Sequence, residues 1–141
     1  DRIALIANRF VTEVFTGKIV PTVDQCRETL RWVLDQPVSK IFVADGHDGL
    51  DGAFALVVTR HMVSGELFAG EVMWWVNPES RGRLGLSLLR AAERWARSTG
   101  AKFMQISATS ARVESLIERL GYTKIEVSYQ QRFTDQAQEA L

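Results

Sequence analysis

Apolar residues at Ile3, Ile6, Ala7, Phe10, Val11 and Val14 recur every three or four positions, which is the spacing of one helical face. The pattern predicts a helix over 2–15, stopped by Gly17. Thr22 and Gln25 have the spacing of a capping box just after Pro21. The helix they open carries Val23, Cys26, Leu30, Val33 and Leu34 on one face, and Pro37 closes it. The period then changes. Lys40–Ala44 is a short apolar run bounded by the turn-rich DGHDGLDG, and Ala53–Thr59 reads as its hairpin partner. A turn at Val63–Gly65 leads into a longer strand, Leu67–Val76, which ends at Asn77-Pro78. Helical spacing returns with Leu84, Leu88, Leu89, Ala92, Trp95 and Ala96 on one side and Arg90, Glu93, Arg94 and Arg97 on the other, ending at Gly100. Trp32 and Trp95 follow apolar helix faces and are expected in the core. Lys102–Ala108 reads as a strand. Ser110 is placed to cap a short helix with Val113, Leu116, Ile117 and Leu120 inward, ended by Gly121. Tyr122–Phe133 alternates as a final strand, and the polar tail after Thr134 is expected to fray.

The order ααββ followed by βαβαβ predicts a mixed α/β (α+β) fold, with helices packed on the sheet. At 141 residues the chain reads as a single domain. It is long enough to bury roughly two thirds of its unfolded surface. Lysine plus arginine equals aspartate plus glutamate, 17 each, which argues against wholesale binding to nucleic acid or to an anionic membrane. Any anion site must then be local. Cys26 is the only cysteine, so no internal disulfide forms, and it reads as a small buried hydrophobe. His47 and His61 sit by polar turns and make no ligand-spaced cluster, so no metal is expected. No apolar run approaches the ~20 residues of a membrane span and no signal peptide is visible, which reads as a cytoplasmic protein. Asp1 lies already inside a helical pattern, so something upstream is expected.

The junction NPESRGRLGLSLLRAAERWARSTG, from Asn77 to Gly100, carries more than a turn requires. Backbone N–H groups at a helix start lack intrahelical partners, and the helix dipole is positive there. An approaching phosphate satisfies both. Gly82 and Gly85 let the backbone come close, and Arg81 and Arg83 could add charge-assisted bonds to phosphate oxygens. A solvated loop, with glycines for turning and arginines for solubility, fits these residues equally well. The stretch is neither a Walker loop nor Gly-x-Gly-x-x-Gly.

The longer stretch VMWWVNPESRGRLGLSLLRAAERWARSTGAKFMQISA resembles the central motif of the GNAT acyl-CoA N-acyltransferases. SARVESLIERLGY resembles that family's next element, and the two together cover roughly 71–133. The style is that of short bacterial or phage members. The resemblance implies a GNAT-like, mostly antiparallel sheet flanked by helices, with a first strand upstream of Asp1. It implies acetyl-CoA as cosubstrate, held by Trp75 and Val76 at the strand end, by Arg81, Gly82, Arg83, Leu84, Gly85 and Leu86 in the loop, and by Ser110 in the next element. Ser110 stands where the family often has Asn, and Ile117 where it often has the tyrosine that protonates the departing thiolate. The loop also departs from the family pattern. If Gly85 takes its last Gly/Ala position, Ser80 falls where Arg or Gln is usual and Arg83 replaces a glycine; if Arg81 takes the first position, the loop is one residue short.

The implied reaction is direct acetyl transfer to a primary amine, on a small molecule or a peptide. A free lysine amine has a pKa near ~10.4, so a base is useful at neutral pH. The family often places that base on the strand before the loop, where Glu71 sits. By alternation Glu71 shares a face with Met73 and Trp75, and such neighbours raise a carboxyl pKa. The plainer reading leaves Glu71 solvated beside the turn at Gly70; Glu66 is nearer the hairpin turn and a weaker candidate. For the acid, Tyr122 and Tyr129 are the only tyrosines, though each also reads as a strand aromatic packing the core. Otherwise the thiolate leaves unassisted. Trp74 and Trp75 are adjacent and must face opposite sides of the sheet, one of them the core. A homodimer is compatible with the resemblance. Two further readings stay open: a GNAT-fold binding or structural module without turnover, and another α/β domain whose Arg-Gly loop holds a different phosphate.

Overall fold

The computed structural model describes residues 2–15, 21–47, 49–131 and 133. The chain forms two compact units, Asp1–Ser107 and Ala108–Leu141.

The first unit opens with two helices, α1 (Arg2–Phe15) and α2 (Val23–Asp35). Gly17, the expected stop of α1, lies outside the described residues. The capping box of α2 forms as expected: the Thr22 hydroxyl accepts from Gln25 N–H, and the Gln25 side chain accepts from Thr22 N–H at 2.8 Å. Cys26, Leu30 and Val33 are its buried stripe. Trp32 and Leu34, expected inward, are 57% and 58% exposed. Steps of about 100° per residue carry them to either side of a stripe only one residue wide.

Strands β1 (Ser39–Gly46), β2 (Gly49–Arg60), β3 (Leu67–Val76) and β4 (Phe103–Gln105) form one sheet in the order β1-β2-β3-β4. The first three are antiparallel and β4 runs parallel to β3. Most of DGHDGLDG, expected as a loop, is absorbed into the hairpin, which closes on the pair Gly46–Gly49. Strand β2 is buried on both faces, as a central strand covered by helices must be. Ala53 and Ala55 face the cluster that α1 and α2 build with Ala4, Ile6, Cys26 and Leu30. Gly52 faces the other way, where Leu88 of the long helix α3 (Arg83–Ser98) comes so near that a Cβ would lie 3.1 Å from it. Phe54 and Leu56 follow Gly52 on that face and are fully buried. Helices thus cover both faces of the sheet.

The second unit holds α4 (Ala111–Arg119). Ser110 caps it, its hydroxyl accepting from Val113 N–H at 3.3 Å. The strand expected over 122–133 does not form among the described residues, and Ile125, Val127, Tyr129 and Phe133 are exposed. Alternation supplies two faces, but only a paired edge makes a strand. Strand β4 is likewise three residues where seven were expected.

Candidate active site

Strands β3 and β4 pair only over Phe68–Phe103, Ala69–Met104 and Gly70–Gln105. Beyond Gly70 the strands part. Glu71 stands at that point, and Ser107 N–H donates to its Oε1 at 3.3 Å. No other described residue bonds its carboxylate. Burial raises its pKa to about 7 against the opposing pull of the Ser107 bond. A carboxyl poised there is half ionised at neutral pH, the condition a general base requires.

The expectation that Glu71 shares a face with Met73 and Trp75 is corrected by a bulge. Met73 pairs with Ala55 and Glu71 with Leu56, so Val72 is one residue too many. A single-residue bulge resets the alternation. Glu71 therefore lies opposite Leu56, in phase with Ala69 rather than with Met73 and Trp75. Leu56 and Ala69 are both fully buried, and their apolar surroundings desolvate the carboxyl. Glu66, the weaker base candidate, is exposed in the hairpin turn, where its carbonyl accepts from His61 N–H.

Past the bulge, Trp75 is buried in the core formed with α1 and α2, so its side chain is already occupied. What it can offer a ligand is backbone. Trp74 is half-buried on the opposite face, its ring 5.7 Å from that of Phe54. Val76 ends the strand, and its carbonyl accepts from Arg81 Nε–H at 2.9 Å. The Arg81 guanidinium lies over the Trp75 ring, 5.8 Å from its centroid. Arg81 thus folds the loop back on the strand that leads into it.

The loop itself is a short 3-10 turn (Pro78–Ser80) followed by Arg81 and Gly82. Gly82 has φ 115° and ψ −113°, a conformation that side chains forbid, and caps α3 without any side-chain bond. No acidic residue lies in the first turn of α3. The helix start therefore presents uncapped N–H groups and uncompensated positive charge. Gly85 lies one turn in, and a Cβ there would meet Val76 and Trp74 at 3.7 and 3.8 Å, ordinary contact. A methyl fits that space; a long side chain does not. Arg83 is exposed at the first helical position. Leu84 and Leu86 are half-buried beside it.

The sequence marks Asn77 only as a strand end; in the fold it is the clamp of this loop. Its N–H donates to the Asp51 carbonyl at 2.7 Å. Its side-chain amide donates to Leu50 O at 3.2 Å and to Asp51 Oδ1 at 3.1 Å. Arg9 Nη1 of α1 donates to Asn77 Oδ1 at 3.2 Å, and Ser80 N–H donates to Asn77 O at 2.9 Å. The Asn-Pro pair marks a turn in the sequence. Its partners are remote in the chain, and no local pattern announces them.

Ser110, Tyr122 and Tyr129 belong to the second unit. The Ser110 hydroxyl is engaged as a cap, Tyr122 is half-buried and Tyr129 is 94% exposed. Tyr129 thus does not pack a core as a strand aromatic. Among the described residues no cluster of His, Cys, Asp and Glu has metal-binding geometry, and no helix is long and apolar enough to cross a membrane.

The fold is that of known acetyltransferases. The chain is similar to the aminoglycoside 6'-N-acetyltransferase AAC(6')-Iy, solved with the bisubstrate analogue CoA-S-monomethyl-acetylneamine: 18% identity, TM-score 0.69, covering 94% of this chain and 92% of that one. It is similar to AAC(6')-IG from Acinetobacter haemolyticus, at 16% identity and TM-score 0.64, covering 90% of this chain and 92% of that one. A transcriptional regulator from Bacillus halodurans C-125 matches at 16% identity and TM-score 0.72, covering 94% of this chain and 91% of that one. No curated protein sequence matches the chain significantly. The model of the Acetyltransferase (GNAT) family matches residues 13–122, which span α2, the sheet with its bulged strand, the Arg-Gly loop, α3 and α4, and the chain belongs to that family.

Proposed function

We propose that the protein transfers an acetyl group from acetyl-CoA to a primary amine by direct attack, with Glu71 as general base. The observation that carries this is the placement of Glu71: a desolvated carboxyl with pKa about 7, at the point where β3 and β4 separate. That the β3–β4 pairing stops at Gly70 and Gln105 supports an extended thiol arm lying beside the β3 backbone at Trp75 and Val76. The uncapped start of α3, from Arg81 to Leu86, fits a pyrophosphate: no side chain caps its first N–H groups, and the first turn carries no competing acid. Acetyl-CoA supplies the activated acetyl thioester. Glu71 takes the proton that the amine must lose, directly or through a water. The backbone N–H groups of the splayed strand are the candidates for stabilising charge on the thioester oxygen.

The departing thiol has a pKa near ~8.5 and can leave as thiolate without an acid. Tyr122 and Tyr129 remain the candidates if a proton is supplied, and Ser110 keeps a supporting place as the cap of α4. The acceptor class follows the neighbours named as aminoglycoside acetyltransferases only as far as a small amine.

The test is thiol release from acetyl-CoA across a panel of amines that includes aminoglycosides, polyamines and lysyl peptides. Turnover that falls at least a hundredfold in Glu71→Gln, with CoA affinity by calorimetry unchanged, supports the reading. CoA binding without turnover for any amine assigns the chain instead to the binding modules of this fold.

A further inference from the structure

Beyond Arg83, the proposed site does not use the outer face of α3. Arg83, Arg90, Arg94 and Arg97 are all exposed there. At 3.6 residues per turn they lie within about 60° of one another and span about 21 Å of helix. None of the four bonds to the side chain of a described residue. The arrangement works against the helix that carries it. Arg90 and Arg94, and Arg94 and Arg97, are like-charged neighbours one turn apart, which destabilises a helix. Arg83 adds positive charge at the positive end of the dipole, where the first turn has no acid. Between Arg81 and Arg97 there are five arginines and one acid, Glu93.

We propose that this row is a docking surface for the phosphodiester backbone of a nucleic-acid duplex. Its basic side chains are arginines throughout, and the guanidinium fork matches phosphate oxygens. It has no apolar centre: every large exposed hydrophobic of the described residues lies off α3. A membrane-surface helix needs apolar residues to bury, and a protein interface is built around an apolar core. A duplex needs neither. It offers one negative charge per ~1.7 Å of axis, so a straight row of this length meets charge along its whole extent. The zero net charge of the chain, which argued against nucleic acid, averages over the surface, whereas counterion release responds to local charge. Arg90, Arg94 and Arg97 lie outside the proposed acetyl-CoA site, so this inference stands apart from the acetyltransfer reading.

The test is fluorescence anisotropy of the full chain with a labelled 20-base-pair duplex, from low to moderate salt. With three to four phosphates neutralised, log K should fall against log salt with a slope of about −3 to −4. The triple variant Arg90→Gln/Arg94→Gln/Arg97→Gln should lose at least tenfold at low salt and flatten to a slope near −1. The matching triple Lys variant should keep most of the slope. Saturating CoA should leave wild-type binding in place. Absence of binding at low salt, full binding by the Gln variant, or displacement by CoA would each overturn the proposal. So would capture by phosphatidylserine vesicles equal to that by the duplex, with the same loss in the Gln variant, because the surface would then be a lipid site.

Discussion

Removing the carboxylate of Glu71 should disable the enzyme and stabilise the fold, and the gain should depend on pH. The carboxyl titrates at about 7 in the folded chain, against an ordinary value of 4.5. Burial disfavours its charged form, so the sign is fixed. The cost of the buried charge is absent below pH 4.5, grows as pH rises towards 7, and is complete above it. A shift of that size corresponds to roughly 3 kcal/mol at most, at 1.36 kcal/mol per pH unit. Glu71→Gln removes the charge yet keeps an oxygen to accept the Ser107 N–H. Near pH 8.5 the variant should therefore exceed wild type by roughly 2–3 kcal/mol, or ~4–12 °C in Tm for a chain of this size. Near pH 4.5 the two should coincide. Thermal unfolding of both proteins across that range, followed by circular dichroism, reads the difference directly. In parallel, wild-type kcat/KM for acetyl transfer should rise through an apparent pKa near 7, and the variant should lack that limb. A stability difference that is constant with pH would mean that the carboxyl is solvated, and both its tuned titration and its role as base would fall.

The loop glycines should behave differently from each other. Gly82→Ala forces a side chain into φ 115° and should cost ~1–3 kcal/mol along with most of the CoA affinity, read by chemical denaturation and calorimetry. Gly85→Ala places a methyl at ordinary contact distance and replaces a helical glycine, so it should be neutral or stabilising by up to ~1 kcal/mol, whereas Gly85→Leu should abolish CoA binding in a folded protein. Asn77→Ala should cost ~1–3 kcal/mol and raise the KM for acetyl-CoA more than it lowers kcat, because it releases the start of the loop from β2 and α1. Leu89→Ala, at a fully buried position of α3, should cost ~2–5 kcal/mol in urea unfolding.

Features that depend on neighbours in the chain were legible, and features that depend on remote partners were not. The Thr22–Gln25 capping box and the Ser110 cap are each set by a few consecutive residues, and both stand where the pattern places them. The strand over 122–133 fails for the opposite reason: alternation at Ile125, Val127 and Tyr129 is local, but pairing is not. Trp32 and Leu34 show how coarse an apolar stripe is when the surface it must cover is unknown. Asn77 makes bonds to residues 26, 27 and 68 positions away, and nothing in NPES encodes them.

The bulge at Val72 is the most consequential of these. Neither glycine nor proline marks it, because the extra residue is defined only against β2. Strict alternation gives Glu71 the wrong face, yet the expectation of a raised pKa survives, since it requires only apolar surroundings and both faces of this sheet provide them. The direction in which the carboxylate points is a different matter. It decides which side of the splayed strands the amine must approach, and that side is set by one inserted residue. Deleting Val72 should therefore restore regular pairing while Glu71 stays opposite Leu56, on the face it already holds. Acetyl transfer should persist in the shortened protein, whereas its loss from a protein that still folds would show that the bulge itself, and not the phase of β3 alone, positions the base.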